Sequence, residues 1–282
     1  MNDHPLTLLT VHAHPDDEVT STGGVLARYA AEGVTTVVVT CTDGRCGDGP
    51  AGVKPGEPGH DPDAVATFRR GELEAACAAL KVTHLELLGY RDSGMAGWDT
   101  NVAPGAFWAT PVPEAAERLA AVIRRYRPDV VVTYDENGGY GHPDHIQTHR
   151  VSMAAVALAA VPAKVYMSVV SRSVMRDLGE RLREAGIGPE SPESAELPPT
   201  GWPDEEITTW VDTSAVADQK YDALAAHASQ SDGAFFLGLG RSRFARLMGV
   251  ETFVRVHDTT GAPVPEDDLF AGLRATPSGP GR

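Results

Sequence analysis

The sequence predicts an α/β fold, a Rossmann-like and mostly parallel sheet with helices on both faces, followed by a smaller C-terminal lobe. Two observations predict it: short apolar runs alternate with helical patterns through the first 170 residues, and two long Gly/Pro/Asp-rich loops begin where such runs end. Strands buried on both faces read as continuous apolar runs, and parallel neighbours need a crossover between them. Alternating strands and helices therefore build a parallel sheet.

In order, the run LTLLTVH at 6–12 predicts a first strand, followed by a helix near 18–32, the strand TTVVVTC at 35–41, a helix near 65–80 and the strand LELLG at 85–89. A helix near 113–127, the strand DVVVTY at 129–134, a helix near 145–160 and the strand KVYMSVV at 164–170 continue the series. The loops at 42–64 and 90–112 follow the second and third strands, on the edge where open parallel sheets hold their ligands. Residues 1–170 thus form the main region, and 171–274 a smaller lobe packed on it to help shape a substrate pocket. That lobe opens with a surface linker reaching 187–206, then a strand at 207–211, a helix at 214–228 and a last strand near 250–256, while 275–282 read as a frayed tail.

A chain of 282 residues with 42% hydrophobic content buries a sizeable core, so a metal here serves chemistry rather than folding. The formal charge of −15 and the lack of any Lys/Arg run exclude nucleic acid and anionic membrane surfaces as partners. No apolar run approaches the roughly 20 residues of a membrane span, and the N-terminal stretch carries no basic region before its apolar run, so the chain is read as cytoplasmic. Cys41, Cys46 and Cys77 are an odd number without a secretion signal and make no disulfide framework. Cys41 and Cys46 have no second pair with which to bind zinc, and Cys77 lies in an Ala-rich helical pattern that places it in the core.

Two segments carry the chemistry. VHAHPDDE at 11–18 and GGYGHPDHIQTH at 138–149 each put His-Pro-Asp at the carboxyl end of an apolar strand. Proline fixes its own φ and pushes the residue before it towards an extended conformation, so His14 and His142 each end a strand while the next residues open a helix. The acidic groups then fall in a first helical turn, where negative charge is favoured. His14 with an aspartate of the Asp16-Asp17 pair, joined by His145, supplies two imidazoles and a carboxylate, the donor set of a catalytic zinc site with an open position. The remaining aspartate can accept a proton beside such a site, and His142 can donate to an oxyanion or leaving amine with Asp144 orienting its ring. Spacing alone does not decide between Asp16 and Asp17, and Fe2+ or Co2+ suits the same ligands. His149, four after His145, is an alternative ligand on the same helical face; His12 alternates with His14 and points to the opposite face. Asp92 suits either sugar hydroxyls or a turn, His227 a helix C-cap, and the glycines of TSTGGVLA at 20–27 lack dinucleotide-binding spacing.

At these residues the sequence resembles the zinc-dependent de-N-acetylase superfamily that includes the phosphatidylinositol-GlcNAc de-N-acetylases and the LmbE-like proteins. The likeness rests on AHPDDE, RRGEL, RDSGMAG, NGGYGHPDHIQTH and KYDALAAHASQ, and is strongest over 6–170. Within that superfamily it is nearest the mycothiol-pathway deacetylase and the mycothiol S-conjugate amidase. The resemblance implies one Zn2+ per chain on His14, Asp17 and His145, with Asp16 as general base and His142 as acid or oxyanion partner supported by Asp144. It further implies that Tyr140 stands near the carbonyl oxygen and that Arg69, Asp92 and Met95 contact the sugar. The implied activity is hydrolysis of an N-acyl amide on a small amino sugar such as N-acetylglucosaminyl-inositol. Conjugate amidase or secondary-metabolite deacetylase activity is the alternative within the superfamily, and a homo-oligomer is allowed. Readings from other classes are a non-catalytic metal or sugar-binding protein, which leaves Asp16, His142 and Asp144 without a purpose, and a nucleotide-binding module.

Overall fold

In the computed structural model, which describes residues 5–184 and 201–274, the apolar runs form β1 (Thr7–His12), β2 (Thr35–Thr42), β3 (His84–Tyr90), β4 (Val130–Tyr134) and β5 (Lys164–Val169). β6 (Thr209–Asp212) and β7 (Val250–Asp258) join them in one sheet of order β3-β2-β1-β4-β5-β7-β6. The first five strands are mutually parallel; β7 runs antiparallel to β5, and β6 antiparallel to β7. The C-terminal stretch thus extends the same sheet. The tail at 275–282 and most of the linker lie outside the described residues.

Between and after the strands lie α1 (Asp17–Ala31), α2 (Pro62–Ala79), α3 (Val112–Tyr126), the short turn α4 (Gly138–Gly141), α5 (Pro143–Ala159), α6 (Arg172–Glu184), α7 (Ala217–Ala226), α8 (Ser231–Gly238) and α9 (Arg241–Met248). Their starts follow local chemistry. Asp61 caps α2 by accepting the N–H groups of Asp63 and Ala64, with Pro62 at the first helical position. Side chains alternate across the central strands: Leu8, Val38, Val130 and Val132 pack towards α1, α2 and α7, whereas Leu9, Val11, Val37, Val39 and Val131 pack towards α3 and α5. Each such side chain contributes about 1.5–3 kcal/mol by leaving water, so the strand ends that carry the site stand on a rigid base. Among the described residues no helix is long and apolar enough to cross a membrane.

The C-terminal elements grip α1. Glu251 of β7 accepts the N–H groups of Gly24 and Val25 at 2.7 and 2.8 Å and pairs with the buried Lys220 of α7 at 2.7 Å. Gly24 lies so near Thr213 that a Cβ there would collide with its side chain. Gly24 of TSTGGVLA therefore serves close packing.

Candidate metal centre and active site

The strand order reverses between β1 and β4, and the crevice at such a reversal is where open α/β sheets bind ligands. His14, Asp16 and Asp17 follow β1 directly. The second segment departs from the sequence expectation, because β4 ends at Tyr134 and residues 135–141 intervene before His142. Asp135 folds this excursion back, accepting the N–H groups of Asn137 and Gly139 on Oδ1 and the indole N–H of Trp202 on Oδ2. Gly138 then crosses the first turn of α5 at φ 63°, where a Cβ would stand 2.6 Å from that of His145. Only glycine fits that crossing.

Three atoms converge in the crevice. Nδ1 of His14, Oδ2 of Asp17 and Nε2 of His145 lie 3.3 Å from one another along every edge of a triangle. Donor atoms 2.0–2.1 Å from a tetrahedral zinc stand about 3.3 Å apart, so the triangle has the size that such an ion requires. The other nitrogen of each ring is engaged elsewhere. Nε2 of His14 lies 3.3 Å from Oδ2 of Asp144 and 3.5 Å from Oδ1 of Asp92, and Nδ1 of His145 lies 3.2 Å from the Gly138 carbonyl. Such partners fix ring orientation and leave the facing nitrogen as donor. The Tyr134 ring stacks on His145 with centroids 4.4 Å apart.

The electrostatics also suit a cation. Burial disfavours charge on His14, yet the Asp92, Asp144 and Asp17 carboxylates outweigh it and hold the imidazole well above its ordinary pKa. Burial likewise opposes the Asp17 charge, but the imidazoles of His145 and His14 keep its carboxyl well below the usual range. A cluster of buried anions that draws a proton onto its central imidazole is one that a divalent ion can neutralise in the proton's place.

Asp16 and His142 flank the triangle, and a ring nitrogen of His142 lies within 4.8 Å of ring nitrogens of His14 and His145. Asp16 caps α1 at φ 116°, ψ −30°, a conformation that residues with side chains avoid, and its carboxylate makes no capping bond. Oδ2 instead accepts from the Arg69 guanidinium at 2.8 Å, while Arg69 also donates to the carbonyls of Gly44 and Pro15. Burial pushes the Asp16 carboxyl up to about 6 against the pull of Arg69. His142 caps α5, with Nδ1 accepting the Asp144 N–H at 3.1 Å. Burial, with His14 and His145 nearby, lowers its pKa to about 3. The ring is therefore neutral and carries its proton on Nε2, a donor held without charge at a helix N-terminus.

Other residues fall differently from their sequence reading. The Asp144 carboxylate does not orient His142; it faces His14 and accepts the Ser93 N–H at 2.8 Å, and only its backbone N–H meets the His142 ring. Asp92 closes a turn by accepting the Gly94 and Cys46 N–H groups, and it also lines the cleft. Arg69 is buried behind Asp16 with its guanidinium reaching the cleft wall, whereas Met95 and Tyr140 stand at the rim, 43% and 70% exposed. His149 turns to the Tyr134 carbonyl at 2.9 Å, and His12 to Thr22 at 3.0 Å. The cleft holds about 320 Å3, within the span of small-molecule sites. Cys46, Trp98 and Gln230 line it too; their positions in the loop after β2, in the RDSGMAG loop and at the end of KYDALAAHASQ were the available signals.

The family described as PIG-L, GlcNAc-PI de-N-acetylase, matches residues 9–156. The chain belongs to this family. It is 44% identical over 284 residues to the 1D-myo-inositol 2-acetamido-2-deoxy-alpha-D-glucopyranoside deacetylase of Acidothermus cellulolyticus, covering 97% of each chain. Among solved structures, it resembles the N,N'-diacetylchitobiose deacetylase of Pyrococcus horikoshii at 20% identity and a TM-score of 0.56, over 97% of this chain and 87% of that one. It also resembles the 4-carboxy-2-hydroxymuconate hydratase of Pseudomonas putida at 22% identity and a TM-score of 0.59, over 92% and 99%. A deacetylase and a hydratase share the fold, so reaction type must be argued from the site. All three atoms of the triangle fall inside the stretch that the de-N-acetylase family matches.

Proposed function

We propose that this chain is a zinc-dependent N-deacetylase that hydrolyses the acetamide of 1D-myo-inositol 2-acetamido-2-deoxy-α-D-glucopyranoside to a free amine and acetate. The full-length likeness to a relative of that name supports the substrate. The observation that carries the chemistry is the equal-edged triangle of His14, Asp17 and His145 with a carboxylate and a neutral imidazole on its flanks. These three residues would hold the ion, which when bound supplies Lewis acidity for an acyl carbonyl and for water.

The remaining steps belong to the chain's own groups. Asp16 is ionised at neutral pH with a carboxyl near 6, well matched to take a proton from the attacking water and return it to the leaving nitrogen. Arg69 keeps that carboxylate turned from the helix. Nε2–H of His142 donates to the acyl oxygen as charge develops there, and Tyr140, with its ring 6.1 Å from that of His142, adds a contact from the rim. Met95, Asp92 and Arg69 bound the sugar. The reading keeps a single small-molecule substrate and a cytoplasmic setting.

Amine release from the inositol glycoside, set beside a mycothiol S-conjugate, together with metal analysis, tests this reading. We expect one zinc per chain and faster release from the glycoside. Full turnover in chelated, metal-free protein refutes the mechanism, and faster release from the conjugate reassigns the substrate.

A further inference from the structure

We propose that His227 is a positioning residue for the base, acting through Glu18 on the backbone of Asp16. This rests on the reading of Asp16 as the base. Nε2 of His227, at the end of α7, lies 2.7 Å from Oε1 of Glu18, and both side chains are buried. The other Glu18 oxygen accepts the Asp16 N–H at 2.9 Å.

In a capping box a helix start is sealed twice, by the cap side chain reaching forward and by an acidic or amide side chain of the first turn reaching back to the cap N–H. Here only the backward half is made, because Asp16 forms no capping bond and Glu18 holds its N–H. That arrangement stabilises the unfavourable φ of 116° and leaves the Asp16 carboxylate on Arg69, facing the triangle. A carboxylate buried at this depth needs a donor on each oxygen to keep its place; the Asp16 N–H serves one and His227 supplies the other. Lys220, two turns earlier on α7, anchors the same helix to Glu251. His227 borders the cleft, so a direct substrate contact is the competing role.

The test uses the full metal-loaded chain with His227→Ala, His227→Gln, Glu18→Ala and the Glu18→Ala/His227→Ala double variant. His227→Ala is expected to lower kcat about 100-fold, as displacement of a reacting group does, with KM and bound zinc unchanged. His227→Gln keeps an N–H donor towards Glu18 and should recover most of that loss, and the double variant should be no slower than Glu18→Ala alone, since coupled residues are non-additive. A rise in KM at constant kcat, loss of zinc, or additive losses overturns the proposal. Hydrogen exchange at the Asp16 amide reads the same contact without turnover. Faster exchange in His227→Ala is expected even if the wild-type chain releases no amine, the result that would instead defeat the deacetylase reading; unchanged exchange overturns the positioning role.

Discussion

The two His-Pro-Asp segments share three consecutive residue types and differ in where the helix begins. After β1 the cap is the third residue, Asp16; before α5 it is the first, His142. The offset sets where each side chain points. His14 stands ahead of its helix and turns Nδ1 into the triangle, whereas Nδ1 of His142 is engaged by the Asp144 N–H. Asp17 and His145 occupy matching places and both enter the triangle. The segments also brace each other, since Asp144 of the second faces His14 of the first and Asp17 of the first faces His145 of the second. The difference traces to one further position: Glu18 reaches back to the Asp16 N–H, and its counterpart Ile146 has no group with which to do so. Similar motifs specify residue types, and the helix start decides which way each side chain points.

The largest effects are expected at the triangle. His14→Ala removes one of three donors and is expected to lose zinc and turnover to background, checked by metal analysis and amine release; retained zinc would show that Nδ1 is not a ligand. Asp16→Ala should keep the metal and lose about 10²–10⁴ in kcat, the scale of general-base removal. Loss of metal there would exchange the roles of the two neighbouring aspartates. His142→Ala should cost about 10²–10³ in kcat, as removal of an oxyanion donor does, with zinc retained. Asp144→Ala sharpens the contrast, because its carboxylate faces His14 and not His142. Metal affinity should weaken about 10–100-fold, read by competition with a chelator, and unchanged affinity with reduced kcat would return Asp144 to the His142 side.

Much of this was legible in the sequence, for physical reasons that also mark the limits. Strands β1, β2, β4 and β5 are buried along most of their length on both faces and so appear as mainly apolar, β-branched runs. His14, the Asp16-Asp17 pair and His145 stand out by donor type at strand ends and helix starts, whereas the choice between the two aspartates rests on the family resemblance and not on spacing. The helices α6, α8 and α9 go beyond what the sequence reading predicts. The last two have eight residues each and are separated by glycine, so packing on their neighbours holds them rather than any strong local pattern. The antiparallel pairing of β7 with β5 joins distant stretches, and local periodicity does not encode partners. The same holds for His227 and Glu18, 209 positions apart: each alone reads as a cap or a first-turn acid. The target of the Asp144 carboxylate was likewise hidden, because it depends on how two segments face each other and not on either one.

The smallest expected effect separates two histidines one turn apart on α5. His145 and His149 share a helix face, and spacing alone allows either as ligand. The structure ties each Nδ1 to a different carbonyl, that of Gly138 for His145 and that of Tyr134, the last residue of β4, for His149. The first tie turns Nε2 into the triangle, and the second joins α5 to the strand. His149→Ala should therefore lose one hydrogen bond worth about 0.5–1.5 kcal/mol, lowering the thermal midpoint by about 2–4 °C while zinc content and kcat stay near wild type. His145→Ala, assayed beside it, should lose the metal. If His149→Ala loses zinc instead, the turn at Gly138 does not select the ligand and the donor triangle must be redrawn around the second histidine.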